Sequence, residues 1–243
     1  MGNPRMVDIH CHILPGLDDG PRTLDESVAM LRLAAGDGVR TIVATPHFGG
    51  RFGQPPTDVV GALVERVNGL AADDGLPVTV VPGCEAWLDL DLPAAADEGR
   101  VLTFGADRRY LLIEVLPDPL PLYALEVSFQ LRVRGIQPIL AHGERLALTR
   151  PGLSFVRSFV DQGGLVQLNA DAVGGRGGWR LTRVCRNLLK AGLVHAIASD
   201  AHSPTERPPL LSPCLRGFPP AERPTVARTY CSLLGPAPGT GVT

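Results

Sequence analysis

The sequence predicts an α/β fold built on a parallel sheet and contained in a single domain. Three observations predict it. Seven short runs rich in β-branched residues alternate with helix-length segments, the pattern of repeated strand–helix units. Most helical segments run into a glycine just before the next strand, at Gly38, Gly75, Gly135, Gly163 and Gly192, where a left-handed C-cap suits a residue without a Cβ. The 243 residues, 44% of them hydrophobic, show no internal repeat and no linker, so one core of barrel size is expected.

The elements follow in order. Strands are expected at residues 7–12, 40–45, 78–84, 110–115, 137–142, 165–169 and 194–199. The first helix is expected at 24–36, opened by Thr23 with Glu26 three residues on, the spacing of a capping box. Further helices are expected near 58–72, 122–134, 154–162 and 180–191. The segment 87–109 has no clear helical pattern and reads as an irregular excursion. The domain is taken to span 1–235, with a frayed, Pro/Gly/Thr-rich tail at 236–243. A closed barrel and an open doubly wound sheet both satisfy this order.

Composition narrows the function. A formal net charge of -2 provides no basic field for nucleic acid. No apolar run reaches the roughly 18 residues of a membrane helix, and no signal peptide is visible, so a cytoplasmic location is expected. Gly and Pro number 28 and 23, which suits many turns between short elements. The five cysteines, Cys11, Cys84, Cys185, Cys214 and Cys231, include no CxxC pair, so neither a disulfide framework nor a zinc knuckle is expected.

The polar residues fall where the strands end. His10 and His12 end the first strand, and Asp18 and Asp19 follow it. His47 follows the second strand, Glu85 follows the third, and Glu114 lies in the fourth. His142 ends the fifth, and Asp200 and His202 follow the seventh. The C-terminal strand ends of a parallel barrel share one face, the usual location of active sites. Five of the six histidines fall there; His195, near the start of its strand, is the exception. Each residue alone reads as structural: a satisfied histidine, a turn aspartate, a buried ion pair. Gathering so many ionisable groups on one buried face is costly, and divalent cations remove that cost because imidazole and carboxylate are their ordinary ligands. Positions i and i+2 of a strand share a face, so His10 and His12 can converge while Cys11 points away.

The ordered set of HxH, DDG, TPH, PGxE, an IE strand, AHxER and IASDAH resembles the polymerase and histidinol phosphatase (PHP) superfamily. The run DIHCHILPGLDDG, with TIVATPH and ASDAH, is similar to its bacterial protein-tyrosine phosphatases of capsular and exopolysaccharide systems. The resemblance covers about residues 6–210. It implies a distorted (β/α)7 barrel holding three divalent metal ions, commonly Mn2+, with Mg2+, Fe or Zn2+ as other occupants. By motif, His10, His12, Glu85 and Asp200 would hold one ion. Glu85, Glu114 and His142 would hold a second, and Asp19, His47 and His202 the third. Arg145 of AHxER and Arg207 would grip phosphate. It also implies a phosphotyrosine protein as substrate, the tail of a tyrosine autokinase, attacked by metal-bound hydroxide. No nucleic-acid partner and no membrane span are expected.

The sequence departs from the pattern at HGERL, where Gly143 and Leu146 replace a larger residue and an aromatic, a change expected to alter how a phosphotyrosine ring is held. Asp8 reads as an outer support or strand-edge residue, Glu144 is unassigned, and the GGRGG run at 174–178 reads as a flexible connection. A thiol-dependent phosphatase needs Arg six residues after its cysteine. Those positions here are Leu17, Leu90, Ala191, Pro220 and Ala237, so that mechanism is rejected. A histidinol-phosphatase-like enzyme, an isolated nuclease and a catalytically silent metal-binding protein are the competing readings.

Overall fold

The computed structural model describes residues 6–216. Its strands are β1 (Met6–Cys11), β2 (Val39–Ala44), β3 (His47–Phe48), β4 (Thr79–Pro82), β5 (Glu85–Trp87), β6 (Tyr110–Glu114), β7 (Gln137–Leu140), β8 (Leu165–Asn169) and β9 (Ala196–Ala198). Every pairing between them is parallel. One ladder runs β1-β2-β4 and the other β3-β5-β6-β7-β8-β9. The two meet where Cys11 bridges Ala201, with His12 N–H donating to Ala201 O at 2.8 Å and Asp200 N–H donating to His10 O at 2.8 Å. The curled sheet thus has seven strand positions, two of them broken into pairs of segments.

The breaks have visible causes. Pro46 stands between β2 and β3 and has no N–H to give a ladder. Gly83 stands between β4 and β5, where a Cβ would lie 2.6 Å from Val43 Cγ1. A third irregularity lies in β1: between Asp8 and Cys11 it advances three residues while β2 advances two, from Ile42 to Ala44. Such a bulge re-aims side chains, and here both histidines of HxH turn into the ring above Ile9.

The helices are α1 (Leu24–Asp37), α2 (Thr57–Asp73), α3 (Leu92–Asp97), α4 (Ala124–Val133), α5 (Gly143–Leu146), α6 (Arg150–Asp161), α7 (Ala170–Val173), α8 (Trp179–Lys190) and α9 (Ser212–Arg216). Thr23 caps α1 by accepting from Glu26 N–H at 3.3 Å, while the Glu26 carboxylate accepts from Arg22 N–H at 2.6 Å. α6 begins four residues before the expected start. Thr149 caps it through Gly152 N–H, and Pro151 sits in its first turn. A Cβ on Gly152 would stand 1.9 Å from Leu146 O, so only glycine fits this tight approach. The excursion at 87–109 contains the last residue of β5 and the short helix α3.

Two apolar clusters follow from this layering. One is made almost wholly of strand residues (Ile9, Val43, Leu112, Ile139, Ala141, Ala196, Ala198) with Phe104, and fills the ring beneath the strand ends. The other joins the outward strand faces to the helices, through residues such as Met30, Leu31, Val67, Leu131 and Phe159. The alternation decides which polar residues point inward. Leu112 is in the ring, so Glu114 is; Ala196 and Ala198 are, so Asp200 is. No helix among the described residues is long and apolar enough to cross a membrane. The expected tail at 236–243 and Cys231 lie outside the described residues.

Candidate metal centre

The nine residues expected to ligate metal meet at the C-terminal mouth of the ring. His47 and Glu85 are not loop residues: they open β3 and β5 and pair with each other in register. Glu85 is the hub. Its Oε2 lies 3.2 Å from His10 Nε2, 3.3 Å from His12 Nε2 and 3.2 Å from His47 Nδ1, and its Oε1 lies 3.0 Å from His142 Nε2. Asp200 Oδ1 lies 3.3 Å from His10 Nε2, and Glu114 Oε1 lies 3.5 Å from His142 Nε2. Asp19 Oδ1 lies 3.2 Å from His202 Nε2 and 3.5 Å from His47 Nε2.

The donor set fits divalent ions. Three groups have ligand atoms within 4.8 Å of one another: His12, Asp19, His47 and His202; His10, His12 and Glu85; and His47, Glu85 and Glu114. Their membership differs from the sets implied by the resemblance, because His12 and His47 each reach two groups and His142 and Asp200 stand beside them. His142 Nδ1 is, among the described residues, the one buried side-chain polar atom without a hydrogen-bond partner. A buried imidazole nitrogen with no partner is costly unless something else engages it.

The electrostatics agree. Burial would raise the Glu85 pKa, but His10, His12 and His142 hold it well below the usual carboxylate range. Burial would likewise lower that of His12, but Asp18 and Glu85 hold it up to about 10. Burial pushes His202 down to about 3, aided by the charge of His12. Glu114 is pushed up by burial and by the neighbouring Glu85 charge. The carboxylates therefore demand positive charge within the cluster, supplied either by protonated imidazoles or by cations in their place.

The supporting residues were harder to foresee. Asp18 accepts from His12 Nδ1 at 2.7 Å, Gly20 N–H at 2.9 Å and His47 N–H at 3.0 Å, so it fixes the His12 ring and ties it to the start of β3. Gln167 Oε1 accepts from the backbone N–H of His142 at 2.8 Å. A backbone N–H can only donate, so this bond settles the amide orientation. His10 Nδ1, 3.2 Å from the same oxygen, is then the protonated nitrogen, and Nε2 keeps its lone pair for the cluster. Gln167 Nε2 donates to Asn169 Oδ1 at 2.9 Å, and Asn169 Nδ2 donates to Asp200 Oδ2 at 2.6 Å. The signal was present in the strand LVQLN, whose Gln167 and Asn169 alternate on the inward face. Asp8 is fully buried and is not a strand-edge residue: it accepts from Ser199 N–H at 3.0 Å and from Ser199 Oγ at 2.5 Å, tying β1 to the Asp200 turn. Burial raises its pKa to about 6. Glu144 is buried too, faces Asn169 N–H, and is pushed up to about 7 by burial.

Arg145, on α5, and Arg207, on the turn after His202, both reach Asp200 Oδ2, at 3.1 and 2.6 Å. Both are 40% exposed or more, and both line the cavity above the cluster, which has a volume of about 440 Å³. His142 and Asp200, with φ of 35° and 53°, hold the left-handed conformation that non-glycine residues avoid, as strained residues at functional sites do. The departure at HGERL does not reach the cavity. Leu146 is fully buried beneath α5 and Gly143 packs on Val166, so neither contacts a ring held above. Arg176 pairs with Asp171 at 3.5 Å, away from the cavity lining. His195 accepts from Val166 N–H at 3.1 Å, remote from the cluster. Cys11, Cys84, Cys185 and Cys214 are buried, and burial pushes the Cys84 thiol up to about 12, unsuited to a thiolate nucleophile.

Residues 6–219 match the family described as Capsular polysaccharide synthesis, CpsB/CapC. The chain is 33% identical to the tyrosine-protein phosphatase YwqE of Bacillus subtilis over 198 residues, 82% of this chain and 78% of that protein. It is 31% identical to the putative tyrosine-protein phosphatase CapC of Staphylococcus aureus, over 85% of this chain and 80% of that one. It superposes with a TM-score of 0.81 and 30% identity on a crystal structure from a study of YwqE and Streptococcus pneumoniae CpsB, described as unique metal-dependent tyrosine phosphatases. That match covers 92% of this chain and 95% of the other. The chain belongs to the CpsB/CapC family.

Proposed function

We propose that this member of the CpsB/CapC family is a metal-dependent protein-tyrosine phosphatase serving capsule or exopolysaccharide synthesis in the cytoplasm, with the phosphorylated tail of a tyrosine autokinase as its substrate. One observation carries the reading: Arg145 and Arg207 converge on Asp200 at the edge of a cluster of nine candidate metal-ligand side chains, seven of which line the same cavity as the two arginines. His10, His12, Asp19, His47, Glu85, Glu114, His142, Asp200 and His202 are proposed to hold three divalent ions, Mn2+ foremost. Bound there, the ions would neutralise phosphate charge and bring a coordinated water's pKa near neutrality, so that it serves as the nucleophile.

The chain's own residues do the rest. The two guanidinium forks bind phosphate oxygens, for which Asp200 Oδ2 is the resident competitor. Glu85, held ionised between four imidazoles, keeps the ligand nitrogens aimed at one point. The Gln167–Asn169 pair fixes the orientations of His10 and Asp200. Catalysis is then positioning plus charge stabilisation, and a phenolate leaves without a dedicated acid. The test is phosphate release from phosphotyrosine peptide, phosphoserine peptide and histidinol phosphate, by protein stripped with chelator and reloaded with manganese. Manganese-restored release from phosphotyrosine is expected. A preference for histidinol phosphate would move the substrate, and no release from any would overturn the assignment.

A further inference from the structure

The walls of the cavity differ in chemistry, and the strand order explains how. Arg145 follows the fifth strand position (β7) and Arg207 follows the seventh (β9). Phe52 follows the second position, Trp87 ends the third and Leu116 lies just beyond the fourth. In a seven-position ring the third and fourth positions stand opposite the seventh. The cavity therefore has a cationic wall of Arg145 and Arg207, an acidic and imidazole floor, and a mainly apolar wall of Phe48, Phe52, Trp87 and Leu116, on which Arg51 is the one charged residue, its guanidinium carbon 4.6 Å from the Phe52 ring centroid. Ligand pockets are lined by apolar and aromatic side chains with a few polar groups that fix orientation, and Leu116, on this wall, is 39% exposed.

The apolar wall is also built to hold its shape. Gly49 and Gly50, with φ of 98° and 58°, let the turn lie against Trp87. Cβ atoms there would stand 3.1 Å from Trp87 Cβ and 3.3 Å from the indole ring. Phe52, on the same turn, lies flat on the His47 imidazole, with ring centroids 4.3 Å apart and planes 4° apart. One glycine-rich turn thus anchors two aromatic side chains, one on a strand and one on a metal-site histidine.

We propose that Phe52, Trp87 and Leu116 form a seat for the aromatic ring of the substrate, and that Phe52 and Trp87 set a preference for aryl over alkyl phosphate monoesters. This rests on the phosphatase reading above. A phosphate drawn to the arginine wall must send its ester group toward the opposite wall. A flat ring gains contact there with aromatic neighbours that a serine methylene is too short to reach. Gly143 and Leu146 of HGERL are buried and absent from the cavity lining, so they do not supply this seat.

The test uses the manganese-loaded full chain with 4-nitrophenyl phosphate and phosphotyrosine as aryl monoesters, and glycerol 2-phosphate and phosphoserine as alkyl ones. Phe52→Ala and Trp87→Leu should each lower the ratio of aryl to alkyl kcat/KM by about tenfold, the loss expected for one aromatic contact, with a raised aryl KM. A second readout does not depend on turnover. In a Trp179→Phe background the remaining tryptophan is Trp87, and its emission should respond to phenylphosphonate but not to inorganic phosphate. Equal losses for both ester classes, or unchanged aryl KM, would overturn the seat. If the wild type hydrolyses nothing, the emission decides alone. A response to phenylphosphonate keeps the seat and removes only the hydrolysis, whereas silence removes the seat as well.

Discussion

Replacing Gln167 by leucine should loosen two members of the candidate metal cluster together. The side chain is fully buried, and leucine is comparable in volume though shorter, so the packing change is modest beside the polar one. The polar change is large. The backbone N–H of His142 loses an acceptor at 2.8 Å, His10 Nδ1 loses one at 3.2 Å, and Asn169 Oδ1 loses a donor at 2.9 Å. A buried polar group left without its partner costs about 1–3 kcal/mol. Three such groups, partly relieved by rotation of the Asn169 amide and the His10 ring, should cost about 3–5 kcal/mol, a large share of the 5–15 kcal/mol typical of a domain. Metal affinity should fall about 10–100-fold, because the His10 tautomer and the Asp200 orientation are no longer fixed. Urea unfolding measures the first quantity and manganese competition against a chelator the second. Gln167→Glu is the internal comparison. It keeps an acceptor for both His142 N–H and His10 Nδ1–H, so it should bind manganese more tightly than Gln167→Leu. A stability loss under about 1 kcal/mol with unchanged affinity, or the reverse order of the two variants, would refute the hydrogen-bond polarity assigned to this chain of side chains.

Other outcomes follow from the same geometry. Removing divalent ions should abolish phosphate release, and restoring manganese to about 100 times its Kd should stabilise the fold by about 2.7 kcal/mol, or roughly 5–10 °C in Tm. A Tm independent of manganese would contradict a shared metal site. Arg145→Ala and Arg207→Ala should each lower kcat/KM about 10–100-fold, with the double variant losing less than the product because both grip one phosphate; Arg145→Lys should recover only part, having charge without the fork. His195 tests the acid side of stability. Burial lowers its pKa below the usual histidine value, and its Nδ1 accepts from Val166 N–H. The folded form therefore prefers the neutral ring. The stability this contributes is present above the unfolded pKa and is lost as pH falls through the lower, folded one. His195→Asn, whose Oδ1 replaces Nδ1 as acceptor, should flatten that part of the stability–pH curve below about pH 6.5, and an unchanged slope would refute it.

Much of this was legible because the barrel repeats one instruction. Alternation of short apolar strands with helices gave the seven strand positions, and the five helix-closing glycines all hold positive φ as their place required, from 64° at Gly75 to 100° at Gly38. The inward direction of Glu114 and Asp200 also follows from counting along their strands. What escaped was of two kinds. α6 starts earlier than its local pattern suggests, because its cap, Thr149, precedes a Pro–Gly pair that reads as a turn. The support of His10 by Gln167, across 157 residues, cannot be read from local pattern at all. Nor can the burial of Leu146, since an amphipathic turn of four residues offers no period to say which side faces the cavity. Ligand-type residues announce themselves by chemistry; the residues that aim them look like ordinary polar interruptions of a strand.

The irregularities of the sheet are best understood as part of that aiming. In a regular ring, a strand end delivers one inward side chain per position, and neighbouring positions cannot bring their polar atoms onto a common point. Here β1 carries an extra residue between Asp8 and Cys11, which turns His10 and His12 inward together. The second and third positions break at Pro46 and Gly83, and the chain resumes pairing with His47 directly opposite Glu85. The paired residues then stand 3.2 Å apart at Nδ1 and Oε2. Substituting Gly83 by alanine would press a Cβ against Val43 and resist the break, so it should displace Glu85 and cost metal binding even though Gly83 touches no ligand atom. Retained manganese affinity in Gly83→Ala would mean that Glu85 holds its position without the break, and that the interruption of the strand serves packing alone.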